Sequence, residues 1–298
     1  MIPIWIVAAL ATASCFAVSG LLAYDAGRAL GATVFSFVRM ALVAIGAGGL
    51  VLLFGLDSRM NGDDVALLCA SGVMGVFLSD TLRYASLSRV GPQLQSLLGT
   101  ATAPFALLLG FLVLGQTISM LSLVGTGMII AGLVAAASAR NNTSDTRFTG
   151  DTAGLTPGIG FGLGAALTQA GSVLIAAPVM AKGIDPLSAT FVRSVAGALS
   201  LLLPVLLSAP RRSQIQSMTR PVAKQVVFSA VVGTGLGMSL QLFALASGPV
   251  GIVATLSATT PLIVLPMIWI IGRSRPNALA WLGAVIGVAG VALISNAS

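Results

Sequence analysis

Ser36 to Ala47 reads SFVRMALVAIGA, and Ala189 to Ser200 reads ATFVRSVAGALS. Each stretch sets an arginine, Arg39 or Arg193, a few residues inside a long apolar run. The shared Phe-Val-Arg is the first sign that the chain is written twice. Gly91-Pro92 recurs as Gly248-Pro249, TATAPF (Thr100 to Phe105) as SATTPL (Ser257 to Leu262), and Gly125 and Gly132 as Gly283 and Gly290. The offset drifts only from 154 to 158, so the order is kept along nearly the whole chain.

Composition says what kind of unit is repeated. Apolar residues make up 56% of the 298 residues and charged residues 8%, with a mean hydropathy of +1.02. A soluble domain carries about 25% charged residues, so this chain has too few polar groups to cover a surface in water. The class is all-α, a polytopic membrane protein. The bilayer core holds no water, so each span closes its own backbone bonds as a helix. Barrel strands would leave short alternating segments; these apolar runs are long and unbroken. Cys15 and Cys69 both lie in such runs and read as small core residues.

Ten runs are long enough to cross, at about 20 residues each. They are roughly 3–24, 32–54, 64–84, 92–114, 119–139, 155–180, 187–208, 224–246, 249–271 and 277–295. The stretch from Ile2 to Tyr24 is too long for a leader's apolar region and has no basic flank, so it reads as the first span. The first copy then covers 1–140, a cytoplasmic linker 141–153, and the second copy 154–298.

The net charge of +7 does not point to nucleic acid, because the basic residues sit in short loops between spans. The odd-numbered loops hold Arg28, Arg89, Arg140, Arg147, Arg211, Arg212, Arg220, Lys224, Arg273 and Arg275; the even ones hold Arg59 and Lys182. Basic loops stay in the cytoplasm, so the odd loops are expected inside and both termini outside. Asn141-Asn142-Thr143-Ser144 matches a glycosylation acceptor pattern but falls in a loop assigned to the inside. Five spans per copy is an odd number, so the second copy enters the membrane from the opposite side. The basic loops are the first and third of the first copy, and the second and fourth of the second. Each copy therefore has the bias its own direction requires, and inverted repeats of this kind are a common build for secondary transporters.

Taken together, two repeats of five spans, a Phe-x-Arg in the second span of each, an Ala-x-Pro-like motif in each fourth span and a glycine-rich final span resemble the EamA-type branch of the drug/metabolite transporter superfamily. The order of these motifs in both halves carries the resemblance. One departure is plain: many members carry Gly-Glu after the fourth span, where this chain has Gly115-Gln116 and Gly272-Arg273, and the chain has no glutamate at all. The resemblance implies export of small metabolites, often amino acids, through a central cavity.

Several polar residues are candidates to line such a cavity. Pro104 and Pro261 fall in the middle of the fourth and ninth spans, as helix-kink or gating residues, and each frees the carbonyl four residues before it, Thr100 or Ser257. Thr100, Thr102, Thr255, Ser257, Thr259 and Thr260 surround these points. Their hydroxyls either re-satisfy the carbonyls locally or face a midplane cavity. Gln95, Gln169 and Gln241 lie inside spans, where an unsatisfied amide costs several kcal/mol, so they line a cavity or bond between helices; Gln93 lies nearer the interface. Asp80, Arg83 and Tyr84 share one helix face and read as a local ion pair or as a mouth for ammonium and carboxylate groups. Their expected counterparts in the second copy are Ser239, Leu242 and Phe243. Arg39 and Arg193 are expected to snorkel to the interface as structural anchors or to pair helices, with direct substrate contact as the alternative.

Other features need only packing. Gly158, Gly160, Gly162 and Gly164, like Gly233, Gly235 and Gly237, let helices approach closely. The stretch from Gly160 to Ala165 fits a dinucleotide pattern but follows no strand. Trp5, Trp269 and Trp281 sit near span ends as interface anchors. No histidine and no glutamate leaves a membrane enzyme without its usual reagents, and no metal or cofactor set is present.

The expectation is a secondary transporter in the cell inner membrane, exporting amino acids or related zwitterions by alternating access. The alternatives are a channel, an assembly partner or a proton-coupled drug exporter. Asp80 is the main candidate to carry a proton, and if locked to Arg83 it would carry one poorly, which favours a substrate gradient. The small-molecule substrate and the lipid bilayer are the expected partners; the sequence leaves monomer and homodimer open.

Overall fold

The computed structural model describes residues 3–55, 57, 59–114, 119–140, 154–247, 253, 256–257, 259–272 and 277–296. Those residues are all helix or connection, with no strand among them. In chain order the helices are α1 (Ile4–Phe54), α2 (Gly62–Gly72), α3 (Asp80–Leu98), α4 (Thr102–Leu114), α5 (Met120–Arg140), α6 (Leu155–Ala181), α7 (Pro186–Leu206), α8 (Ala209–Gln216), α9 (Arg220–Phe228), α10 (Gly237–Ser247), α11 (Thr260–Gly272) and α12 (Ala278–Asn296). The linker 141–153, Gly115-Gln116, Gly248-Pro249, Thr255 and Arg273 lie outside the described residues.

A straight helix of 51 residues would reach about 77 Å, more than twice the hydrocarbon thickness. α1 avoids this by breaking at Gly31, whose φ of 69° and ψ of 156° only glycine adopts without strain. α3 breaks the same way at Gly91, with φ 79° and ψ 167°. Where the second copy makes the turn that Gly31 makes in the first, between α6 and α7, Gly183 also has a positive φ, 74°. Helix continues past the expected span ends: α1 stays helical through Asp25 and Arg28 up to its break, and α3 up to Gly91. These extra turns carry exposed or half-exposed charge and lie past the apolar stretch that hydropathy detects.

The last helices of the two copies, α5 and α12, pack on glycines. A methyl group on Gly125 would stand 2.6 Å from the Gly290 carbonyl oxygen, and one on Gly132 2.6 Å from that of Gly283. The earlier residue of one helix meets the later residue of the other, so the pair runs antiparallel. Backbones this close leave no space for any side chain.

The two copies also exchange contacts. Between α2 and α3 the helix widens into a π-helical stretch, Val73–Ser79; between α9 and α10 it does so again at Ser229–Leu236. Each stretch packs against the first two spans of the other copy. Ser19 of α1 shares a hydroxyl bond with Ser229 at 2.8 Å, and Ser172 of α6 shares one with Ser71 at 3.0 Å. These are the same bond made twice, with the copies swapped.

The outside of the bundle is apolar. Leu52, Leu53 and Phe54 on α1, Leu112 and Val113 on α4, and Leu203 and Leu207 near the end of α7 are exposed by more than half. Faces of this kind mark contact with lipid. The protein is a multi-pass helical membrane protein.

Candidate functional site

Between the two copies lies a cavity of about 270 Å³. Its walls come from α1, α3, α4, α6, α7, α10, α11 and α12, with both π-helical stretches contributing. Gln95, Gln169 and Gln241 all line it, as do Thr100, Thr102, Ser257 and Thr260. So do Asp80, Arg83 and Tyr84, and so do Arg39 and Arg193. Of the two prolines, Pro261 lines the cavity and Pro104 does not.

The three amides have no hydrogen-bond partner among the described residues; each is half-buried and open to the cavity instead of bonding across helices. The hydroxyls behave differently. Thr260 Oγ1 donates to the Ser257 carbonyl at 2.9 Å, the group that Pro261 leaves unbonded. Thr100 Oγ1 donates to the Leu97 carbonyl at 2.7 Å, and the helix tightens into a 3-10 turn over Gly99–Ala101. Both hydroxyls thus serve their own backbone while facing the cavity. Ser257 Oγ is buried without a hydrogen-bond partner among the described residues.

Snorkelling does not describe the arginines. Arg39 and Arg193 are 3% and 4% exposed, and both turn inward. Arg39 Nη2 donates to Thr234 Oγ1 at 2.5 Å and to the Ser229 carbonyl at 3.4 Å, and Nη1 stands 3.5 Å from Asp80 Oδ2. Its guanidinium also lies over the rings of Tyr84, at 4.7 Å, and Phe35, at 5.3 Å. A charge this deep cannot reach the interface from mid-helix, so it is held by partners instead. The helix-pairing alternative fits Arg39, which ties α1 to α3 and to the second π-helical stretch.

The Asp80 carboxylate therefore has a partner the sequence reading did not assign to it. Arg83 Nε is 3.9 Å from Asp80 Oδ1, the helix-face pair expected from spacing, but the shorter contact is to Arg39. Two opposite charges well inside apolar runs were the available signal. The π-helical stretches left only the pattern of glycines. A methyl group on Gly75 would overlap Ser172 Oγ and stand 3.2 Å from Arg193 Nη2; one on Gly233 would overlap Ser19 Oγ and stand 3.3 Å from Arg39 Nη2. Gly75 and Gly233, like Ser71 and Ser229, are 158 residues apart. That register gives Asp80, Arg83 and Tyr84 the counterparts Met238, Gln241 and Leu242, one residue before those expected.

On the face reached by the connections α1–α2 and α6–α7, the copies are latched by charge. Lys182 Nζ is 2.5 Å from Asp64 Oδ1, and Asp57 accepts from Arg59 Nη2 and from the Asp185 backbone N–H, both at 2.7 Å. Both basic residues of the expected outer loops are thus paired.

Comparison with known proteins adds the family. None of the curated proteins compared matches the chain. A solved structure titled only "Crystal structure of protein" is similar at 15% identity and a TM-score of 0.65, covering 96% of this chain and 95% of that one, which shows the shared fold. The model of the EamA-like transporter family matches twice, over residues 3–138 and 156–296, one match to each copy. The chain belongs to the EamA-like transporter family, a family of membrane transporters.

Proposed function

We propose that the protein is a secondary transporter that exports small metabolites, above all amino acids and related zwitterions, by alternating access through the cavity between its copies. The observation that carries this reading is the cavity's wall. Three amides without partners, an ion pair and several hydroxyls converge there from both copies, in a bundle whose outside is apolar. Inverted-repeat transporters bind substrate at such an interface. A volume of about 270 Å³ lies below the range of roughly 300–1,000 Å³ of drug-sized sites, which favours a small solute over bulky drugs.

The proposed arrangement in the inner membrane is ten spans, both termini outside, with the basic loops in the cytoplasm. Driving energy comes from the substrate gradient. Asp80 stands between Arg39 and Arg83, and protonating it would leave Arg39 buried without a counter-charge.

The test is flux of labelled amino acids in proteoliposomes, with and without a pH gradient. Saturable flux that is accelerated by unlabelled substrate on the opposite side is expected. Unsaturable flux without counterflow would indicate a channel. Flux that follows the proton gradient and vanishes in Asp80→Asn would overturn the coupling.

A further inference from the structure

The repeat makes Arg39 and Arg193 equivalents, but their surroundings are not. The side chains that hold Arg39 have counterparts at Arg193, and each of these is apolar. In the register that relates the copies, Asp80 becomes Met238, Thr234 becomes Val76, Tyr84 becomes Leu242 and Phe35 becomes Ala189. All four of these residues are buried in one apolar cluster. What Arg193 has instead is a serine of its own copy: Nη2 donates to Ser172 Oγ at 3.1 Å, while Nε, like that of Arg39, is buried without a hydrogen-bond partner among the described residues. Among the described residues no carboxylate lies within 4 Å of the Arg193 guanidinium.

An unpaired guanidinium at this depth is costly unless an anion reaches it. Arg193 lines the cavity, so an anion can reach it there. The charges on the cavity wall point the same way: Arg39, Arg83 and Arg193 stand against Asp80 alone, and Asp80 is already held by the other two arginines.

We propose that Arg193 is the carboxylate-binding residue of the cavity: the acid that the chain supplies to Arg39 through Asp80 is supplied to Arg193 by the substrate. A guanidinium matches a carboxylate with two parallel N–H donors, and of its five donors Arg193 spends one on Ser172. This rests on the reading of the cavity as the substrate site, and it makes a carboxylate a requirement of the substrate.

The test uses the purified full chain and matched pairs of ligands, alanine with alaninamide and threonine with threoninamide, with inorganic phosphate as a further arm. Binding is read as thermal stabilisation in detergent, and transport as inhibition of amino-acid counterflow. The acids are expected to act at concentrations roughly tenfold to hundredfold below the amides, the difference a charge-assisted bond makes. In Arg193→Gln the gap closes, and in Arg193→Lys it narrows. Met238→Asp restores from the chain the carboxylate missing from the second copy; it is expected to raise the melting temperature and abolish the response to the acids. Amides that match acids in the parent protein would overturn the proposal, as would a gap that persists in Arg193→Gln, acid binding that persists in Met238→Asp, or stabilisation by phosphate alone. Acid binding without counterflow would sink the transport reading and leave the Arg193 site standing.

Discussion

Asp80 Oδ2 stands 3.5 Å from Arg39 Nη1, so an acid at the start of α3 meets a base in the middle of α1 across 41 residues of chain. With Arg39 3% exposed, the pair is a cross-brace inside the first copy, and Thr234 extends it to the second.

Removing one partner of such a pair strands the other. Asp80→Asn is expected to cost about 3 kcal/mol of stability, in the range for breaking a buried ion pair. The double variant Arg39→Gln/Asp80→Asn is expected to be more stable than the sum of the single losses predicts, by on the order of 1–3 kcal/mol. Chemical or thermal denaturation in detergent measures both. Additive losses would show that the two side chains act separately.

The two arginines should respond in opposite ways. Arg39→Gln removes two hydrogen bonds, an ion pair and two ring contacts; Arg193→Gln removes one hydrogen bond and relieves a buried charge that has no carboxylate within 4 Å among the described residues. Arg39→Gln is expected to lower the melting temperature, and Arg193→Gln to leave it unchanged or raise it. Equal losses would mean that Arg193 has a structural partner after all.

How much of this was legible in the sequence depends on what each signal can encode. The doubling was legible because Phe-Val-Arg, the proline motifs and the final glycines recur at one offset, and the family match over 3–138 and 156–296 repeats that division. The cavity-lining amides and hydroxyls were legible because polar groups inside apolar runs need somewhere to face. The direction of the arginines was not. Spacing places a residue along its helix but does not say what stands across from it, and Thr234, the shortest contact of Arg39, lies 195 residues away. The π-helical stretches were also hidden, since one extra residue per turn changes no composition.

Gly75 and Gly233 should tolerate no side chain. Each faces a serine hydroxyl that already bonds to the opposite copy, Ser172 to Ser71 and Ser19 to Ser229. Gly75→Ala and Gly233→Ala are each expected to cost about 1–3 kcal/mol through overpacking. Ser172→Gly is expected to recover part of the loss in Gly75→Ala but none of that in Gly233→Ala. A rescue of both by the one change would show that the two contacts are not separate.

Acid should loosen the latch between the copies. Arg59 and the Asp185 backbone N–H both donate to Asp57, in the connection after α1, and they hold its carboxyl well below the usual carboxylate range. A lowered value in the folded state means that the stabilisation is present above the unfolded value, about 3.9. It is lost as the pH falls below that towards the folded value. Melting temperature of the parent protein is therefore expected to fall below about pH 4. Asp57→Asn should start lower at neutral pH and show a shallower acid slope. Parallel slopes would mean that other carboxylates set the acid limb.

Gln169 and Gln241 give the cleanest separation of binding from folding. Neither amide has a hydrogen-bond partner among the described residues, so truncation removes no contact that holds the fold. Each amide offers donors and an acceptor to whatever occupies the cavity. Gln169→Ala and Gln241→Ala are expected to leave the melting temperature of the unliganded protein within a degree or two, on the order of the ±0.5 kcal/mol of a neutral change. They should raise the half-saturation concentration for counterflow about threefold to tenfold, the worth of one neutral hydrogen bond. A fall in maximal rate without a change in half-saturation would place these amides in the motion between access states instead of in the binding of substrate. Loss of stability in either variant would show that its amide serves a neighbouring helix.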